Sequence, residues 1–181
     1  RREGAALGNL GAAYQALGDL PSAIACYQQH LSVAQQIQDR VGEGNALLNM
    51  GNAYHTLGDQ TKAIACFKQY LVIARELQNL RGEGQVLKSL RLVYAELGDL
   101  TQASDYQQQQ MSLIRGVLVA ATDDFAKVAK MLSLNPIQDC AGANLSGVNL
   151  SGAALRGADL QRSNLSDTNL SDANLSRANL A

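Results

Sequence analysis

Residues 47–59 read Leu-Leu-Asn-Met-Gly-Asn-Ala-Tyr-His-Thr-Leu-Gly-Asp, and related stretches stand forty positions earlier and forty positions later in the chain. Tyrosine recurs at Tyr14, Tyr54 and Tyr94, and a Leu-Gly-Asp triplet follows at 17–19, 57–59 and 97–99. Self-similarity at one fixed period is the sequence signature of a repeat architecture. Residues 1–119 are therefore predicted to hold three copies of one structural unit.

Each unit opens with a stretch that predicts a helix. In the first unit, Leu7, Leu10, Tyr14 and Leu17 are spaced three or four residues apart, which places them on one helix face. The glycine of the Leu-Gly-Asp triplet supplies the left-handed residue that ends this helix.

A second helix is predicted to begin at Pro21, Thr61 or Thr101, because proline suits a first helical turn and threonine can cap one. Each unit is therefore expected to be an antiparallel helical hairpin. The buried face of the second helix in the first unit is predicted to be Ala23, Ile24, Tyr27, Leu31 and Ala34.

Small residues recur where the two helices of a hairpin would approach closely, at Gly11 and Gly51 on the first helix and at Ala23 and Ala63 on the second. This pattern, over residues 3–118, resembles the tetratricopeptide repeat. The stretches Leu-Gly-Asn-Leu-Gly and Leu-Leu-Asn-Met-Gly are similar to the forty-residue class found in kinesin light chains. The resemblance implies a superhelix of hairpins that binds peptides on its concave side.

The third unit departs from the pattern at two positions. Arg91 stands where the other units have glycine, and Gln107 stands where they have Tyr27 or Phe67. We expect looser packing there, or a specialised junction.

From residue 143 onward the period changes to five. Neither a helix nor a flat strand keeps leucines at this spacing on one face, so the chain must turn a corner every five residues. The stretch resembles the pentapeptide-repeat family, which implies a right-handed quadrilateral β-helix with the leucines and the small residues before them inside. The leucines are Leu145, Leu150, Leu155, Leu160, Leu165, Leu170, Leu175 and Leu180.

The whole chain is thus predicted to be an α + β solenoid, with hairpins at 1–119, a capping helix and linker at 120–140, and a β-helix of about two coils at 141–181. The capping helix is predicted from Thr122 onward, with an apolar face that includes Phe125, Val128 and Leu132. Both ends of the sequence lie inside repeats, so we expect a fragment in which further coils follow.

Peptide binding is predicted on the first helices. Asn9 and Asn49 repeat at one position, with Ser89 as their third equivalent, and amide side chains can bond both the N–H and the C=O of an extended peptide. An equally weighted alternative is that these side chains bond to neighbouring helices. The predicted site residues are Asn9, Gln15, Asn45, Asn49, Asn52, His55, Gln85, Lys88 and Ser89.

The residues offer no support for catalysis, cofactors or metal. The chain has two histidines and three cysteines with no ligand spacing, and His30 stands at the position of Tyr70, as an aromatic core residue would. Cys26 and Cys66 also recur at one repeat position, which indicates core residues in a reducing compartment. No nucleophile has a base and an orienting partner.

A net charge of −1 on 181 residues provides no general attraction for nucleic acid or membranes, and no apolar run is long enough to span a bilayer. The sequence thus predicts a cytoplasmic, non-enzymatic scaffold with a protein or peptide partner and no small-molecule substrate. The combination of repeats suggests a cyanobacterial source.

The alternative function assigns binding to the pentapeptide repeats, for example as a DNA mimic that modulates a topoisomerase. The charges after residue 141 are balanced, which weighs against it. They are Arg156, Arg162 and Arg177 against Asp159, Asp167 and Asp172.

Overall fold

The computed structural model describes residues 2–120 (without the side chains of 115 and 117–120), 140–142 and 145–180. The chain divides into two compact units, which are not the same as the three repeat units of the sequence. The first unit, in this sense from here on, is made of residues 1–79 and 92–98, and the second unit is made of residues 80–91 and 99–181. The predicted capping helix at 122–132 lies outside the described residues. The boundaries predicted from the repeats, near 119 and 141, stay predictions.

Six helices follow one another in the first 120 residues. Within the first unit, α1 packs against α2, α3 packs against α4, and α2 also contacts α3. The helical repeat predicted from the period of forty is thus confirmed. The helices are α1 (Arg2–Ala16), α2 (Leu20–Gln36), α3 (Arg40–Leu57), α4 (Gln60–Glu76), α5 (Leu80–Glu96) and α6 (Leu100–Ala120).

The turn inside each repeat depends on a left-handed glycine. Gly18, Gly58 and Gly98 have φ angles of 83°, 86° and 76°, a region that residues with a Cβ atom rarely adopt. The predicted role of these glycines in ending the first helices is confirmed.

The caps of the second helices were predicted at the wrong residues. The side chain of Asp59 accepts a hydrogen bond of 3.1 Å from the backbone N–H of Lys62, and the aspartates of the other two Leu-Gly-Asp triplets do likewise. An aspartate directly after the left-handed glycine is placed to receive an N–H of the first turn. Thr61 and Thr101 therefore lie inside the first turn, as Pro21 does.

The predicted apolar face of the first helices is confirmed only in part. Leu47, Met50 and Tyr54 of α3 are buried, whereas Leu10 of α1 is 47% exposed. Among the first four helices, α3 packs against α1, α2 and α4, whereas α1 packs mainly against α2 and less closely against α3. Leu17 is 82% exposed and its equivalents at 57 and 97 are at least half exposed, so the position before the glycine faces solvent.

The second helices bury the face that the sequence predicts. Cys26 of α2 and Cys66 of α4 are also buried, and burial raises the pKa of the Cys66 thiol. Leu31 is only partly buried. The buried members of the predicted face are Ala23, Ile24, Tyr27 and Ala34.

Glycine on the first helix lets an aromatic ring of the second helix lie against the backbone. A Cβ atom at Gly11 would come within 2.5 Å of the Tyr27 ring, and one at Gly51 within 2.5 Å of the Phe67 ring. Separations this short do not occur between real side chains. The predicted close approach of the two helices is therefore confirmed in the first two repeats.

In the second unit, the leucines of the first four pentapeptides form a buried column. Leu145, Leu150, Leu155 and Leu160 are each at most 1% exposed, whereas Leu180 is 57% exposed. The small residues two positions before the leucines at 150, 155 and 160 are also buried. The inward direction predicted for the leucines is thus confirmed for these repeats.

Residues that are twenty positions apart pair in parallel. The bridges join Asn149 to Asn169, 154 to 174 and 159 to 179, and four pentapeptides separate the members of each pair. Backbone hydrogen bonds on either side of each pair support this register, as from the N–H of Leu150 to the C=O of Asn169 at 2.8 Å and from the N–H of Asn169 to the C=O of Val148 at 3.1 Å. The chain therefore returns to the same side after four pentapeptides.

The last position of each pentapeptide has a left-handed backbone. Glycine holds this position at 142, 147, 152 and 157. In the following four repeats Arg162, Asp167, Asp172 and Arg177 take it with φ angles from 57° to 61°. Two arginines and two aspartates at these exposed turns give no acidic surface.

Among the helices that the structure describes, none is long and apolar enough to cross a membrane.

Candidate peptide-binding surface

One cavity of the first unit brings several predicted site residues together. It has a volume of about 390 Å³ and is lined by residues of α1, α2 and α3 together with Asp39. We call it the first cavity. Its lining residues are Ala5, Gly8, Asn9, Ala12, His30, Asp39, Val41, Gly42, Asn45, Leu48 and Asn49.

The asparagines enter this cavity from two helices. Asn9 comes from α1, and Asn45 and Asn49 come from successive turns of α3. Asn9 and Asn45 are exposed and Asn49 is half-buried. Each amide can donate and accept, so the cavity offers both kinds of group to a ligand.

His30 of α2 lines the first cavity and is only 8% exposed. Its ring occupies the space beside two glycines, because a Cβ at Gly4 would lie 3.0 Å from Cδ2 and one at Gly8 would lie 3.1 Å from Nδ1. Nδ1 is buried and has no hydrogen-bond partner among the described residues. Burial lowers the pKa of His30, against the smaller opposing effect of the Asp39 charge.

Asp39 is the carboxylate of the first cavity. It is the N-cap of α3, and its Oδ1 accepts a hydrogen bond of 3.0 Å from the N–H of Gly42. The residue is half-buried.

A second cavity, of about 280 Å³, lies between α3 and α4 of the same unit. Here Tyr70 takes the place of His30 and Asn79 takes the place of Asp39, each forty residues on. Tyr70 packs against Gly44 much as His30 packs against Gly4. The second cavity contains no carboxylate or imidazole among its described lining residues.

Of the other predicted residues of the first unit, Gln15 and His55 have side-chain bonds within the protein. Gln15 accepts a hydrogen bond of 3.0 Å from the Tyr27 hydroxyl. His55 Nε2 lies 2.9 Å from the Glu96 carboxylate. The backbone C=O of Asn52 accepts a hydrogen bond from the Thr56 hydroxyl, as expected inside a helix, and the Asn52 side chain is half-buried.

The remaining predicted residues belong to the second unit. Gln85, Lys88 and Ser89 lie on α5, where Gln85 is exposed and the other two are half-buried. The Ser89 hydroxyl donates a hydrogen bond of 3.3 Å to the C=O of Gln85. This bond of Ser89 lies within its own helix, so it is neither a contact with a ligand nor the bond to a neighbouring helix that the alternative predicts.

Sequence reasoning missed one charged residue of the first cavity. Asp39 was not among the predicted residues, although it lines the cavity. A usable signal was the comparison of Asp39 with Asn79 at the period of forty. The bonds of Glu96 to His55 and Gln60 had no such signal, because these residues lie about one repeat apart along the chain.

The second unit contains a contact between the third repeat and the pentapeptides. The Gln107 side-chain amide donates a hydrogen bond to the C=O of Ala141, and Met111 and Ile114 belong to the same buried cluster as the leucine column. A cavity of about 410 Å³ lies beside this contact, lined by Ser104, Gln108 and Gly142 among others. The junction expected from the substitution at position 107 is present in the structure.

The described residues contain no group of three or more His, Cys, Asp or Glu side chains that could hold a metal ion.

These features define a repeat protein with a helical part and a pentapeptide part. Comparison with known protein families finds a match for each part. Residues 2–76 match the tetratricopeptide-repeat family, and residues 139–180 match the pentapeptide-repeat family in 8 copies. The chain thus joins tetratricopeptide repeats to pentapeptide repeats, as the sequence predicts. Among curated proteins, none matches the chain significantly.

Proposed function

We propose that the chain is a non-enzymatic interaction scaffold whose first helices bind a short segment of a partner protein. Tetratricopeptide repeats commonly mediate contacts between proteins, so a protein partner agrees with the family match over residues 2–76. In the first unit the predicted site residues lie on α1 and α3, and in the second unit they lie on α5.

The observation that carries the proposal is the shared cavity of Asn9, Asn45 and Asn49. Two of these asparagines are equivalent residues of successive repeats, so their side chains offer amides at regular spacing. A segment that lies across α1 and α3 can exchange main-chain hydrogen bonds with them. The half-buried position of Asn49 makes its hydrogen bonds stronger than those of a fully exposed amide.

We further propose that residues 141–181 form a right-handed quadrilateral β-helix, with four pentapeptides to a coil. The parallel bridges between residues twenty apart and the buried column of Leu145 to Leu160 support this geometry. In this arrangement α6 covers one end of the leucine column, because Met111 and Ile114 share its cluster.

The buried thiols Cys26 and Cys66 support a reducing, cytoplasmic location for this scaffold. The mixed charges at the pentapeptide turns do not favour the alternative, a DNA-mimicking topoisomerase modulator. Mimicry of that kind needs a continuous acidic face.

The proposal can be tested with the full chain as immobilised bait in a cyanobacterial lysate. A parallel bait carries Asn49→Ala and Asn52→Ala, and a third carries Gln35→Ala on the exposed side of α2. We expect one protein to be retained by the first and third baits and depleted on the second. Retention that depends only on the pentapeptide turns, for example on Arg162 and Asp167, would transfer the function to that surface.

A further inference from the structure

We propose that the second cavity receives one large apolar side chain from the segment that binds the first helices. The inference rests on the proposed function, because Asn45 of the proposed binding surface also lines the second cavity. It adds a chemical class of side chain that the asparagines alone do not specify.

The first step of the argument is continuity between the two cavities. Val41 and Asn45 line both of them. The two residues lie four positions apart on α3, so they are neighbours on one face of the helix, and both are exposed. A segment that reaches Asn45 across the first cavity is therefore at the rim of the second cavity as well.

The second step is the apolar wall of the second cavity. Ile73 and Ala74 of α4 are buried, and Leu77, the C-cap of α4, is 42% exposed. Val41 adds a further exposed apolar side chain from α3. An apolar group that fills the cavity removes Leu77 and Val41 from water together with itself, and such burial is favourable.

The third step is the lack of charge. None of the described residues that line the second cavity is Asp, Glu, Lys, Arg or His, and its polar side chains are Asn45, Tyr70 and Asn79. A charged side chain that entered would give up its hydration without meeting an opposite charge, which is costly. The cavity therefore favours a neutral, apolar occupant.

The fourth step is size. The second cavity has a volume of about 280 Å³. An apolar cavity of about 150 Å³ is large enough to bind benzene, whereas pockets for whole small molecules begin at about 300 Å³. The second cavity thus has room for one large side chain, such as leucine, isoleucine, methionine or phenylalanine.

The fifth step is a comparison of equivalent residues. Ile37 stands forty positions before Leu77, and the two are exposed to a similar extent, at 47% and 42%. Ile37 is not among the described residues that line either cavity, and the described lining residue that α2 supplies to the first cavity is His30. The same repeat position thus belongs to a cavity wall in the second repeat and not in the first.

The test uses a phage-displayed random heptapeptide library selected on the immobilised full chain. Parallel selections use Leu77→Gln, which makes the cavity wall polar, and Leu77→Met, which keeps it apolar at a similar volume. Ile37→Gln is the matched control on the equivalent exposed residue. Asn49→Ala reports on the proposed function separately, and far-UV circular dichroism confirms that each variant keeps its helices.

We expect a large apolar residue to be enriched at one peptide position on the natural chain, on Leu77→Met and on Ile37→Gln, and the enrichment to be lost on Leu77→Gln. In isothermal titration of a selected peptide, alanine at that position should weaken binding to the natural chain about ten-fold.

Two results would overturn the inference while the proposed function stands. One is a set of peptides that require Asn49 but have no enriched apolar position, or that have a charged residue at the position sensitive to Leu77→Gln. The other is an apolar enrichment that is unchanged on Leu77→Gln, or that is lost equally on Leu77→Gln and Ile37→Gln. Selection of no peptide that depends on Asn49 would contradict both the inference and the proposed function.

Discussion

Equivalent positions of the second and third repeats have different structural roles. In the second repeat Gly51 faces Phe67 and Gly44 faces Tyr70, so rings fill the space between two helices. In the third repeat Gln107 replaces Phe67 and bonds to Ala141, and Gln110 replaces Tyr70 and bonds to the C=O of Gly84 at 3.4 Å. One repeat pattern thus builds a hairpin core in the second repeat and a connection to the pentapeptides in the third.

The comparison shows how a repeat protein can change its use without changing its fold. The apolar positions that hold the helices together, such as Leu47 and Leu87, stay buried in both repeats. Two ring positions that face the glycines in the second repeat, Phe67 and Tyr70, become the amides Gln107 and Gln110 in the third. Repeats depend mainly on their nearest neighbours, so a local substitution can create a junction while the rest of the array is unaffected.

The largest expected effect comes from a charge placed in the leucine column to which the third repeat is joined. Leu155→Asp would put a carboxylate where the leucine is 1% exposed, at a loss of about 3–5 kcal/mol in unfolding free energy. We expect the second unit to lose its cooperative transition in urea. Ser151→Asp, on an exposed turn, serves as the control and should change stability by less than about 0.5 kcal/mol. Equal stability of the two variants would contradict the inward leucine column.

A smaller effect is expected from Gly51→Ala in the second repeat. The added methyl would overlap the Phe67 ring, and such overpacking destabilises by about 1–3 kcal/mol. The measurement is a double-mutant cycle with Phe67→Leu, in which removal of the ring should make the same glycine substitution much less costly. Additive effects of the two substitutions would mean that the Phe67 ring is not the reason why position 51 requires glycine.

Much of this fold could be predicted from the sequence because it is repetitive. Three copies of one pattern identify the helices, the left-handed glycines and the close approach at Gly11, and eight leucines identify the pentapeptides. The exposure of Leu10 could not be predicted, because it depends on which helices flank α1. Helical spacing alone treats Leu10 and the buried Met50 as equals.

The candidate site was less predictable for the same physical reason. A period of forty shows which side chains are equivalent, and so it indicated Asn9 and Asn49. It does not show which nonequivalent residues meet across helices, and the pairs His55 with Glu96 and His30 with the glycines of α1 are of that kind. Those contacts could not be predicted because the residues that form them lie far apart in the sequence.

A third prediction concerns the junction of the third repeat. Gln107→Ala removes a hydrogen bond to Ala141 and should lower the unfolding free energy of the second unit by about 1 kcal/mol. Gln108→Ala, on the neighbouring exposed side chain, is the control. Urea titration followed by circular dichroism distinguishes the two. If both variants lose the same stability, the Gln107 bond does not hold the junction.

The smallest expected effect is a pH dependence from His30, the polar counterpart of Tyr70. Because the folded-state pKa is lowered, the unfolded chain takes up a proton more readily, so stability is full above the unfolded value of about 6.5 and falls as the pH drops through it. The urea midpoint should decrease between pH 8 and pH 5.5. In His30→Tyr this decrease should be smaller, and an identical decrease in both proteins would exclude His30 as its source.

The central claim is that the first helices bind the partner, and the affinity of the partner segment recovered with the full chain tests it most directly. By isothermal titration, Asn49→Ala with Asn52→Ala should weaken binding about 5- to 150-fold, which corresponds to about 1–3 kcal/mol of lost hydrogen bonding. Gln35→Ala on the exposed side of α2 should leave the affinity unchanged. A folded double variant that binds with the affinity of the natural chain would contradict the claim.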